Sequence, residues 1–178
     1  MLNLQNETIA RLRDRLKERG ERPSLFATDL SAIVAAQGQD VPADTLLRFD
    51  ALCEAMYLMA TADGHLDATE EDTLRGAIRE LSEGTVRSVH IRSMMEGAQA
   101  RLAKEGKDAR VKAIAAKLKD DEPTAEAAFV LAAAVAFADN EIADEENDLL
   151  NDLAEALGID EEKANALLDE HQIGASAE

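Results

Sequence analysis

The chain is predicted to be all-helical, a duplicated bundle of about eight to nine helices related by a pseudo-twofold repeat, and three observations predict it. No stretch sustains the period-2 alternation of a half-buried strand, while apolar residues recur at i, i+3, i+4 and i+7 through most of the 178 residues. Residues 56–74, MYLMATADGHLDATEEDTL, are echoed 76 positions later by residues 132–150, AAAVAFADNEIADEENDLL. Under that offset Ala60, Ala62, Asp63, Glu70, Asp72 and Leu74 meet identical residues at Ala136, Ala138, Asp139, Glu146, Asp148 and Leu150, and Leu66 meets Ile142. Aromatic residues are only 3% of the chain and Trp is absent, so Ala, Leu, Met, Ile and Val must fill the core, which implies helices that approach closely.

Taken in order, residues 2–19 have Ile9, Leu12 and Leu16 on one stripe and five Arg/Lys around the rest, and Gly20 and Pro23 end that helix. Such a basic helix either packs on the body of the protein or docks an acidic partner or membrane surface. Ser24 can cap a second helix with Phe26, Leu30, Ile33 and Val34 inward. Residues 1–40 thus read as an N-terminal helical extension of a domain spanning 41–173, with 174–178 a frayed tail. Pro42 suits the first turn of a third helix reaching about Ala62, with Cys53 as a small core residue on its apolar stripe. Asp63-Gly64 ends it, Gly64 supplying a left-handed cap, and a fourth helix starts near Asp67 or Ala68. These make repeat one, about 43–83.

Bridging helices are predicted over 85–104 and 108–119, separated by Gly106, and neither has a counterpart in the second half. The bridge spans about 85–120, and its second helix carries a Lys-rich outer face. Repeat two, about 122–171, opens at Pro123 with the most apolar helix of the chain, the expected centre of the bundle. An acidic helix follows and stops at Gly158, and Asp160 caps a last one through Leu168.

Charge narrows the function classes. The formal net charge is -18, and residues 121–178 hold seventeen acids against one base, Lys163, which disfavours nucleic acid and leaves cations or basic protein surfaces as partners. A single cysteine precludes an internal disulfide and fits a reducing compartment. The longest apolar run, Phe129–Ala138, is ten residues, about half of what a membrane span needs. The N-terminus lacks the apolar core of a signal peptide, so a cytoplasmic location is expected. No nucleophile–base pair or cofactor motif is visible, and a non-enzymatic role is expected.

The candidate site is Asp63, Glu70, Asp139 and Glu146. Asp63 and Asp139 end the buried stripes of their helices, and Glu70 and Glu146 begin the next ones, so four carboxylates could converge at the repeat turns. Asp67 and Glu70 also form a D-x-x-E capping box, but Ala143 in the equivalent place has no capping oxygen although Glu146 is retained. A carboxylate in a last turn faces the negative helix end, so Asp63 and Asp139 must be offset by loop N–H groups or by a cation. If a metal binds, the oxygen donors favour a divalent Ca²⁺, Mg²⁺ or Mn²⁺. The turns are not EF-hands: counting from Asp63 or Asp139, position 12 is Leu74 or Leu150 instead of Glu. His65 reads as an exposed loop residue, replaced by Glu141 in repeat two.

On the pattern A-D-G-x-L-x-x-x-E, Ala62-Asp63-Gly64-His65-Leu66 through Glu70, and its echo Ala138-Asp139-Asn140-Glu141-Ile142 through Glu146, the chain resembles the TerB-like tellurite-resistance family. That fold also forms the N-terminal domain of DjlA-type membrane co-chaperones. The resemblance implies a duplicated all-helical domain whose acidic residues, here Asp63, Glu70, Asp139 and Glu146, bind metal. It also implies a role in bacterial stress resistance, in systems often linked to the membrane. Asn140 departs from the motif's Gly but tolerates the same backbone conformation. The leading expectation is a metal-responsive module presenting an acidic surface to a protein partner; the alternative is a metal-independent adaptor or scaffold.

Overall fold

A computed structural model describes residues 43–81, 88–138 and 142–171. The expected N-terminal extension, residues 139–141 with the candidate ligand Asp139, and the tail lie outside the described residues. Seven helices occur in the order α1 Ala43–Ala60, α2 Ala68–Leu81, α3 Ser88–Glu105, α4 Lys107–Leu118, α5 Glu122–Ala136, α6 Asp144–Leu157 and α7 Glu161–His171. The described residues hold no strand, so the chain is all-α over the part that is described.

Two helices form the centre. α1 packs most extensively on α5 and is flanked by α3, α4 and α2. Its residues from Phe49 to Ala62 are buried apart from Asp50, because neighbours cover every side rather than the single stripe its periodicity suggests. α5 is buried from Thr124 to Ala136, as its apolar composition requires. Seven alanines in that stretch keep the side chains thin, which lets neighbouring helices close on it from several directions. α2 and α6 are one-sided: Leu74, Ala77, Ile78 and Leu81 line the inner face of α2, and Leu149, Leu150, Leu153, Ala154 and Leu157 that of α6.

The helix ends follow local chemistry. At the end of α1 the Thr61 hydroxyl donates to the Tyr57 carbonyl at 2.9 Å, and the Lys107 ammonium crosses from α4 to the Ala62 carbonyl. Gly64 then turns the chain at φ 89°, a conformation a side chain would strain. α6 stops at Gly158 in the left-handed region, with the Ile159 N–H reaching back to the Ala154 carbonyl at 2.9 Å. Asp160 caps α7 by accepting the Lys163 N–H at 2.8 Å.

Candidate functional site

The motif carboxylates are engaged with their own turns. Asp63 is exposed, not a continuation of the buried stripe of α1, and its Oδ1 accepts the His65 N–H at 2.9 Å. The bonding offsets the unfavourable end of the α1 dipole without a second charge. Asp67 Oδ1 accepts the N–H groups of Thr69 and Glu70 at 2.7 and 2.8 Å, while Glu70 Oε2 accepts the Asp67 N–H at 2.8 Å, closing the capping box. At α6 the half-buried Glu146 accepts the Ala143 N–H at 2.8 Å, performing the same reach without a reciprocal side chain. Among the described residues no group of three or more His, Cys, Asp or Glu is placed to hold a metal ion. Asp139 lies outside them.

A different cluster, invisible to the motif, sits between α1, α3 and α4. The Glu54 side chain is fully buried and is gripped through both oxygens by Arg110, Nε to Oε1 at 2.6 Å and Nη2 to Oε2 at 2.9 Å. Arg101 reaches the same Oε2 at 2.9 Å and Asp50 at 3.2 Å, and Arg110 Nη1 extends to Glu105 at 2.8 Å. The hydrogen bonds that Arg110 donates to Glu54 push the Arg110 pKa further above its already high value. The Arg110 hydrogen bond in turn holds the Glu105 carboxyl below the usual range. The sequence held one signal: Arg110 falls within the α4 stripe that Val111, Ile114 and Leu118 define, so an inward guanidinium required a buried acid.

Two smaller ties fasten α5. Its buried Glu126 meets Lys163 of α7 at 2.7 Å, and the hydrogen bond raises the lysine pKa. Asp121 at its N-terminus accepts from Arg48 of α1 at 2.9 Å and from the Thr124 hydroxyl at 2.6 Å. Cys53 is buried, and burial first, then Asp50, pushes its thiol pKa well up, which keeps it protonated and unreactive.

The motif loop also borders a cleft of about 650 Å³ between the last turn of α1, the first turn of α2, the length of α3 and the start of α4. Tyr57 lines its inner wall at 5% exposure, and the hydroxyl makes no hydrogen bond among the described residues. Burial, and secondarily the charge of Glu71, raises its pKa, so it remains a donor. Leu66 and Met95 supply apolar wall, and the exposed His65, Arg92 and Glu96 stand at the mouth. The cleft is assembled from segments as far apart as Tyr57 and Lys107, which is why no local pattern announced it. No family model, no curated protein and no solved structure matches this chain.

Proposed function

We propose that this protein is a non-enzymatic, metal-independent helical adaptor of the TerB-like type, working in the cytoplasm and presenting an acidic face to a protein partner. One observation carries the choice over the metal-responsive reading. Asp63, Glu70 and Glu146 each already accept a backbone N–H of their own turn, so each has a structural duty that needs no cation.

The duplication behind this reading gains support from the helix ends. α2 spans Ala68–Leu81 and α6 spans Asp144–Leu157, the same interval displaced by 76, and α1 and α5 end at Ala60 and Ala136 with the same displacement. We read the two helix pairs as repeats and α3 and α4 as the bridge. The acidic surface is supplied by Asp148, Asp152 and Glu155, which share one side of α6 by their i, i+4, i+7 spacing, and by Glu161 and Glu162 in the first turn of α7, all exposed. It suits a partner surface rich in Lys and Arg, in a stress-response assembly that can include membrane-bound members. Among the described residues no helix is long and apolar enough to cross a membrane.

Capture of partners from cells tests this, comparing the native chain with an Asp148→Asn/Asp152→Asn/Glu155→Gln variant, each with and without chelator. Capture should survive chelation and be lost in the variant. In parallel, chelator-treated protein titrated with Ca²⁺, Mg²⁺ and Mn²⁺ should show no saturable heat. Stabilisation by one of these ions that disappears in Asp63→Asn/Asp139→Asn would replace this reading with the metal-responsive one.

A further inference from the structure

We propose that the cleft between α1, α2, α3 and the start of α4 binds a small zwitterion bearing apolar side chains, the chemistry of a short apolar peptide with both termini free. This stands apart from the adaptor role, since it uses neither the acidic face nor the repeat carboxylates. A volume of about 650 Å³ falls in the range of sites that enclose small organic ligands.

The polar groups around the cleft define the ligand. Tyr57 places its hydroxyl on the cleft wall within reach of solvent, and no group among the described residues accepts from it. A peptide carbonyl would. Four charged residues line the cleft, two of each sign, in a chain with 37 acids and 19 bases. Lys107 is held by the Ala62 carbonyl and Glu71 faces Arg75 at 3.5 Å. Arg92 and Glu96 remain without a hydrogen bond or ion pair among the described residues. They lie on one face of α3 a single turn apart, about 5–6 Å between Cβ atoms for that spacing.

That pair offers one guanidinium for a carboxylate and one carboxylate for an ammonium at a separation that the ends of a dipeptide can span, given about 3.8 Å between successive Cα atoms. Leu66, Met95 and Leu102, half-buried or buried, give its side chains apolar surface. A purely anionic ligand would meet Glu96 and the field of the net -18 charge, and a purely cationic one would meet Arg92. A zwitterion is opposed by neither.

Calorimetric titration of the full chain with leucyl-leucine, N-acetyl-leucyl-leucine and leucyl-leucinamide tests the assignment. Leucyl-leucine should bind saturably, and each blocked form about tenfold more weakly, the usual worth of one charge-assisted hydrogen bond. Arg92→Gln should abolish the preference over the amide, Glu96→Gln the preference over the acetyl form, and Tyr57→Phe should weaken leucyl-leucine while leaving both preferences. The helical circular dichroism of all three variants should match the native chain, since two substitutions are at exposed positions and the third keeps the ring. No saturable binding of leucyl-leucine, equal binding of the three ligands, or variants that keep the native discrimination would overturn the proposal.

Discussion

Glu54 holds its charge out of reach of water, and the two guanidinium groups that face it make it the residue on which the α1–α3–α4 junction depends. Removing one member of a buried charged set leaves the others uncompensated, so Glu54→Ala should cost about 3–5 kcal/mol in urea unfolding. A Glu54→Leu/Arg110→Met pair should recover most of that loss, because apolar groups of similar volume need no partner. Recovery would identify the penalty as stranded charge; an additive double variant would assign it to lost packing. Glu105 gives the same cluster a pH signature. Its pKa is lowered in the folded state by Arg110, so its contribution is complete above the ordinary carboxylate value, about 4.3, and is lost as pH falls through the lowered one. Glu105→Gln should therefore flatten the acid limb of the stability profile and leave the neutral region with a small uniform loss.

Among the described helices, α7 is the most weakly held. Leu167 is its one fully buried side chain among the described residues, helped by Ala164 and Leu168 and by the Lys163 bridge to Glu126. Eleven residues are too few for a helix to persist alone, so α7 should open without the rest of the bundle. Hydrogen exchange should find its amides unprotected well before those of α5, and Lys163→Met should speed α7 further while α5 stays unchanged. Because the Lys163 pKa is raised on folding, its contribution is complete below the ordinary lysine value, about 10.4, and fades as pH rises through the raised one. The existence of these helices was legible because each carries its own punctuation, the Asp67–Glu70 box, Gly158 and the Asp160 cap being local. The charged residues that join them were not. Glu54 and Glu126 sit on the two most buried helices, and nothing near them in sequence says that Arg110 and Lys163 will arrive 56 and 37 positions later. Asp63 departs in the opposite sense: periodicity aimed it inward, but its helix ends at Ala60 and the turn directs the carboxylate to a loop N–H.

For the whole molecule the dominant physical fact is a lopsided charge. Residues 88–119 carry eight Arg and Lys against three Asp and Glu, whereas 120–171 carry seventeen acids against Lys163 alone. α6 and α7 therefore crowd carboxylates that repel one another; among the described residues Lys163 of α7 is tied to Glu126, and α4, which carries the exposed Lys112, packs along α6. Repulsion of this kind destabilises the compact state and is screened over a Debye length of about 10 Å at 0.1 M salt. Raising NaCl from about 0.02 to 0.5 M should thus raise the urea midpoint, the reverse of a fold held by surface ion pairs. MgCl₂ at equal ionic strength should add nothing beyond the ordinary advantage of a divalent ion in screening. Substituting Asp148→Lys and Asp152→Lys at exposed positions of α6 should raise the low-salt midpoint and shrink the salt slope, because the gain comes from removing repulsion rather than from making a contact. A midpoint that falls with NaCl would mean that the buried Arg–carboxylate cluster or surface pairing outweighs the excess charge, and the acidic face would then be a structural surface instead of one kept at an energetic cost for a partner.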